Sequence, residues 1–197
     1  MKSRELYIAY SVRRDHDLWQ DLCAGDRNAL DYIYYSQVPA LLSYGRYLTP
    51  DSTLVDDCIQ DLFVDLWVKR DRLGPVRTIR FYLMKSLKHR IVRELQNQKK
   101  RRSLTESEGA FEELEDPNPF FSAGQYQPTS AVVECLNKLS PLQKEIVYLK
   151  YFNGLSFDEI GDILELDKKQ LYNALSKAMH NLRGMLKLAV LMILLVY

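Results

Sequence analysis

Lys168, Lys169, Gln170, Tyr172, Asn173, Ser176 and Lys177 follow Asp167 and share one face at helical spacing. Their chemistry is recognition, not bond-making. Ammonium groups bind phosphate or guanine, and the carboxamides of Gln and Asn pair with adenine edges. A solvated last helix of a bundle would present the same residues. A second group is acidic. Asp57, Asp61 and Asp65 recur every four residues, with Asp56 and Gln60 beside them. Such a stripe reads as a protein-contact or solvated face rather than a metal site. Nothing in the chain assembles into a catalytic constellation. His16, His89 and His180 are isolated and none sits at metal-ligand spacing. There is no glycine-rich phosphate loop and no nucleophile elbow. No enzyme, cofactor or metal is expected.

The charge distribution sharpens this reading. The 197 residues hold 27 Lys and Arg against 26 Asp and Glu, a net charge of +1. That total excludes a grossly basic protein, yet the signs are segregated. Asp51 to Val68 holds five acids and no base, whereas Lys69 to Arg102 holds 13 bases and two acids. Residues 103–130 carry six acids and no base. A run at +11 suggests a polyanion, and nucleic acid is the commonest one. Cys23, Cys58 and Cys135 form no CxxC pair, which argues against a disulfide framework or zinc and for a reducing cytoplasm. Met1 to Asp21 is polar throughout, so no signal peptide is expected.

The elements that must position these groups are helical. Only 8 glycines and 7 prolines punctuate the chain. Residues 5–24 read as one helix. Residues 28–48 read as a second, with Leu30, Ile33, Tyr34, Leu41, Tyr44 and Leu48 at helical spacing. Thr49-Pro50 breaks it. A third helix is expected from Thr53 to Arg70 with the apolar stripe Val55, Ile59, Leu62, Phe63 and Leu66, ended by Gly74-Pro75. A fourth is expected from Thr78 to Arg101, with Leu83, Leu87, Ile91 and Leu95 inward and Lys85, Lys88 and Arg93 away from them. Three further helix starts follow. Ser140-Pro141-Leu142-Gln143 and Ser156-Phe157-Asp158-Glu159 are capping boxes, and Asp167 stands three residues before Gln170. Asn153-Gly154 can stop the first of these helices. A short helix, a tight turn at 163–166 and a helix from Asp167 to about Leu186 make a helix-turn-helix. Its expected buried set is Ile160, Ile163, Leu166, Leu171, Leu175 and Ala178. The fold class is all-α: two small helical domains, 1–102 and 131–187, joined by an acidic linker at 103–130. An apolar tail follows at 188–197.

Two blocks resemble the bacterial RNA polymerase sigma factors of the extracytoplasmic-function type. Asp56 to Trp67 resembles the helix with which that family docks on the polymerase clamp. The resemblance implies polymerase-binding roles for Asp56, Asp57, Gln60, Asp61, Phe63 and Trp67. Leu139 to Arg183 resembles, without gaps, the domain that reads the minus-thirty-five promoter element. It implies DNA-binding roles for Lys168, Lys169, Gln170, Tyr172, Asn173, Ser176 and Lys177. The basic stretch between them would lie on the minus-ten element and help melt it, through Phe81, Tyr82, Lys85, Lys88, His89, Arg90 and Arg93. Aromatic stacking on unpaired bases is worth about 1–3 kcal/mol per base. The chain departs from the family at His89 and Arg93. At Glu165 the family's turn glycine is missing, so the turn is expected to form without a residue that freely takes positive φ.

The resemblance implies an alternative sigma factor that binds core RNA polymerase and promoter DNA in the cytoplasm, with an anti-sigma factor as a further partner. Two other readings explain less. A helix-turn-helix regulator acting without polymerase leaves the acidic block idle. A helical adaptor binding through its apolar tail leaves the basic run idle. The tail from Leu188 to Tyr197 is uncharged, but it is about half the roughly 20 residues needed to span a bilayer. Packing at the end of the last helix, partner binding and attachment to a membrane surface are its three readings.

Overall fold

In the computed structural model of the chain, residues 9–105 and 138–196 are described, with only the backbone given for 102–105 and 184–196. The linker expected at 103–130 falls, from residue 106 onward, outside the described residues. The chain divides into two compact units, Met1–Pro117 and Asn118–Tyr197. Every regular element among the described residues is helical. The first unit holds α1 (Asp15–Cys23), α2 (Arg27–Leu48), α3 (Ser52–Val68), a 3₁₀ turn (Arg70–Arg72) and α4 (Ile79–Thr105). The second holds α5 (Pro141–Val147), a π turn (Tyr148–Phe152), α6 (Phe157–Leu164) and α7 (Lys168–Val196).

The helix expected over 5–24 is broken within its described part. Residues 9–11 are helical, the backbone turns at 12–13, and Arg14 is extended at ψ 150° before α1 begins. Asp15 and Asp17 occupy the first turn of α1, where the helix dipole favours carboxylates. Asp26 caps α2 by accepting the Asn28 N–H at 2.9 Å, and its other oxygen accepts from the Tyr10 hydroxyl. Thr49 ends α2 in extended backbone, and Asp51 caps α3 through the Leu54 N–H at 3.0 Å.

In the first unit α2, α3 and α4 pack on one another and α1 packs on α2. The expected stripe of α3 is buried at all five positions, as are Leu83, Leu87 and Ile91 of α4, while Leu95 is half-buried. Tyr44 and Ile33 complete the centre. The α2–α3 crossing is close because residue 45 has no side chain: a Cβ there would overlap both methyls of Val55. In the second unit α7 packs on α5 and α6. The α-helix opened by Ser140 ends at Val147 and widens into the π turn, and Gly154 then takes φ +68°. Ile160, Ile163, Leu171, Leu175 and Ala178 are buried as expected, and Leu166 is half-buried.

The last helix runs ten residues beyond the expected end and takes in the tail to Val196. No helix among the described residues is long and apolar enough to cross a membrane.

Candidate functional site

Three surfaces carry the groups singled out above. The first is the exposed face of α3. Asp56, Asp57, Gln60 and Asp61 are all exposed. None of the four has an ion-pair or hydrogen-bond partner among the described residues. Asp65 continues the four-residue spacing but behaves differently. It is gripped by Arg90 of α4 and, at 3.0 Å, by Lys69. The Arg90 guanidinium first, and then the Lys69 ammonium, hold its carboxyl below the usual carboxylate range. The stripe therefore divides into two presented carboxylates and one that ties α3 to α4.

Phe63 lies in the core, its ring edge against Tyr34 at a centroid distance of 4.9 Å. Trp67 is half-buried under the Arg70 guanidinium, 4.4 Å above its ring, with that of Arg27 at 6.0 Å. Sequence reasoning missed Val64 and Val68, which are 60% and 64% exposed. With Asp57 and Asp61 they recur at i, i+4, i+7 and i+11, so two acids and two valines form one stripe. A helical wheel of the printed sequence contains that signal.

The second surface is α4. Its bases are less free than the charge count suggests. Arg77 and Lys85 hold their cations 5.5 and 5.7 Å from the ring of Phe81, one on each side in sequence. Tyr82 packs against Trp19 with ring centroids 5.0 Å apart. Arg90 is 20% exposed and its charge meets Asp65. Lys88 is half-buried, whereas His89 and Arg93 are exposed, the latter 3.6 Å from Glu94. Arg80, outside the expected set, donates to Gln37 of α2 at 3.0 Å.

The third surface is the start of α7. Ser156 and Glu159 form a reciprocal box at the start of α6, as Ser140 and Gln143 do at α5. Asp167 accepts the Gln170 N–H at 2.7 Å, and the Gln170 side-chain oxygen accepts the Asp167 N–H at 3.0 Å. That use leaves Gln170 its side-chain NH₂ for other partners. The turn forms without a glycine at 165, as expected. Glu165 adopts the left-handed conformation, φ 55° and ψ 40°, in place of a glycine. The Leu166 N–H donates to the Gly161 carbonyl at 3.0 Å, and a Cβ on Gly161 would stand 3.0 Å from the Leu166 oxygen. Gly161 thus supplies the close approach and Glu165 the left-handed turn. Lys168, Lys169, Gln170, Tyr172, Asn173, Ser176 and Lys177 are all exposed. Lys168 pairs with Asp158 of α6 at 3.0 Å, and that hydrogen bond raises its pKa. Tyr172 rests on Phe157 at 5.0 Å.

A helix-turn-helix with an exposed basic and amide-bearing face, in one chain with a helical unit that separates acids from bases, defines a DNA-binding protein with a second macromolecular contact. Family comparison makes the class specific. Residues 33–101 match sigma-70 region 2, and residues 129–182 match sigma-70 region 4. The two matches together span more than half of the chain, which belongs to the sigma-70 family. It is a sigma factor that directs transcription initiation. Members of that family are regulatory and non-enzymatic.

Two solved structures share the fold. One is CnrH in complex with the cytosolic domain of CnrY, at 22% identity and TM-score 0.55, covering 88% of this chain and 97% of that one. The other is the sigma factor RpoE of Bartonella quintana in complex with the anti-sigma factor NepR, at 24% identity and TM-score 0.55, covering 78% and 94%. Among curated proteins none matches the chain in sequence.

Proposed function

We propose that the first unit holds core RNA polymerase through the outward face of α3, with Asp56, Asp57, Gln60 and Asp61 as polar contacts and Val64 and Val68 as the apolar seat. Phe63 and Trp67 shape that face from beneath. The α4 helix of the same unit meets the minus-ten element through Phe81, Lys85, Lys88, His89 and Arg93, with Tyr82 and Arg90 fixing its position. The α7 helix reads the minus-thirty-five element through Lys168, Lys169, Gln170, Tyr172, Asn173, Ser176 and Lys177. Residues 1–102, 103–130 and 131–187 serve as the polymerase and minus-ten domain, the acidic linker and the minus-thirty-five domain. The chain catalyses nothing itself. It works in the cytoplasm, a reading supported by the free thiols of Cys23 and Cys58. An anti-sigma factor holds it in reserve, as the likeness to a sigma factor solved with one suggests.

The observation that carries this reading is the charge separation within one helical unit. Asp57 and Asp61 stand unpaired beside two exposed valines on α3, while α4 collects the bases. Such a face suits a cationic, partly apolar partner. Run-off transcription with purified core polymerase on genomic promoter fragments tests it. The chain should create promoter-specific transcripts that core alone does not make. Asp57→Lys with Asp61→Lys should lower core affinity at least a hundredfold while the second unit keeps its helicity. Undiminished retention of core in a pull-down by the double variant would refute the docking face.

A further inference from the structure

The first unit begins before the residues matched by region 2, and α1 lies wholly outside that match. Its contacts converge on one place, the start of α4. A helix N-terminus leaves its first N–H groups without helical partners. In α4 the Phe81 N–H is taken locally, by the Thr78 hydroxyl at 3.2 Å. The Ile79 N–H is taken by the Asp15 carboxylate at 2.8 Å, from 64 residues upstream. One carboxylate thus serves the first turn of its own helix and the positive end of another.

One turn along α1, Trp19 is 4% exposed and makes two further contacts. Its indole N–H donates to the Gly74 carbonyl at 3.0 Å, and its ring meets the ring of Tyr82 at 5.0 Å and 62°. The irregular segment from Leu73 to Thr78 is therefore pinned by α1 near both ends. Between these pins lies a cavity of about 280 Å³, lined by His16, Gln20 and Cys23 on α1 and by Leu73, Pro75 and Val76 on the segment. The cavity leaves part of the segment unpacked against α1.

We propose that α1 is a latch that sets the approach and first turn of the basic helix, with Asp15 and Trp19 as positioning residues for promoter opening. The inference rests on the role given above to α4. Asp15 and Trp19 touch no DNA. They fix where Phe81 and the bases beyond it stand, and a loosened first turn costs orientation at the moment when strands must separate. Loss of the latch should therefore tell on duplex DNA, where opening must be done. It should matter little on DNA already open.

Three variants test this: Asp15→Ala, Asp15→Asn and Trp19→Phe. Each is assayed by core pull-down and by run-off from a promoter recovered with the native chain. A copy of that promoter carrying a mismatched bubble across the minus-ten element is run in parallel. Asp15→Ala and Trp19→Phe should bind core as the native chain does and lose at least fivefold of duplex run-off. On the bubble template they should recover to within twofold of native. Asp15→Asn keeps an oxygen acceptor for the Ile79 N–H and should retain at least half of native duplex activity.

Duplex activity of Asp15→Ala and Trp19→Phe within twofold of native would overturn the latch, as would a loss that the bubble does not restore. If Trp19→Phe melts early by circular dichroism, Asp15→Ala and Asp15→Asn decide the matter alone. Failure of the native chain to support run-off from any duplex fragment is a different outcome, and it would overturn the role assigned to α4 together with the latch.

Discussion

The two units of this chain handle charge in opposite ways. In the first, most bases are engaged at home. Arg90 meets Asp65, while Arg77 and Lys85 flank Phe81 and Arg70 covers Trp67. The acids of α3 at 57 and 61 are left facing outward. In the second, the seven candidates at the start of α7 are exposed, and among them Lys168 pairs with Asp158 at 3.0 Å. On the roles proposed above, a surface that reads a duplex keeps its cations exposed and available to phosphate. On the same proposal, a surface that opens DNA and binds a protein gains from side chains held in place by pairing. The net charge of +1 conceals this division, because the surplus bases of residues 1–102 are offset by the six acids of residues 103–130.

The contrast can be broken most severely at the α2–α3 crossing. Gly45→Ala places a methyl into Val55 and should lower the stability of the first unit by about 1–3 kcal/mol. The melting of a fragment beginning at Asn118 is unaffected by definition, so the check is on the full chain. There, the transition of the first unit should move to lower temperature and that of the second unit should not. Adding Val55→Ala should return part of the loss, a coupling that a double-mutant cycle reads directly.

A smaller effect is expected at the strap between α3 and α4. The Asp65 side chain is 38% exposed, so solvent screening reduces its pairing to about 1 kcal/mol at neutral pH. Its folded pKa is depressed, so the contribution is present above the unfolded carboxylate pKa of about 3.9 and is lost as pH falls through the folded value. Asp65→Asn should therefore weaken the first unit near pH 7 and flatten its acid limb below about pH 4. The exchanged pair Asp65→Arg with Arg90→Asp should restore part of the neutral stability.

At the second unit the prediction concerns salt rather than stability. Lys168→Ala with Lys169→Ala should weaken promoter binding uniformly across sequences. The slope of log affinity against log salt should fall by about 0.9 for each phosphate contact removed. An unchanged slope would show that neither lysine meets phosphate.

The smallest effect is expected at the turn. Glu165→Gly relieves a left-handed residue and should stabilise the helix-turn-helix by about 1 kcal/mol, read from thermal melting. DNA affinity should hardly change, because Glu165 lies outside the set proposed to face the duplex.

Much of the second unit was legible in the sequence because its signals are local. A capping box needs only residues i and i+3, so Ser140 with Gln143, Ser156 with Glu159 and Asp167 with Gln170 announce three helices from spacing alone. The buried stripes of α3 and α4 were legible for the same reason, since helical period is a property of neighbours. The exposed pair Val64 and Val68 was also present in the printed spacing, although polar chemistry drew the eye first.

What the sequence could not disclose depends on contacts between distant residues. Asp65 and Asp61 are indistinguishable by spacing, and only the arrival of Arg90 makes one a strap and the other a presented carboxylate. Glu165 looks unsuited to a left-handed turn until the Leu166–Gly161 hydrogen bond and the box at Asp167 hold its neighbours in place. Asp15 reads as an ordinary first-turn acid until α4 brings the Ile79 N–H to its carboxylate.

By itself the sequence determined the helical class, the positions of the caps and stripes, and the segregation of charge, because each is set by side chains within a few residues of one another. The tertiary structure decided which charges are spent inside the fold and which are offered to a partner. Pairing across helices depends on where packing brings remote side chains together, and no local spacing encodes that distance.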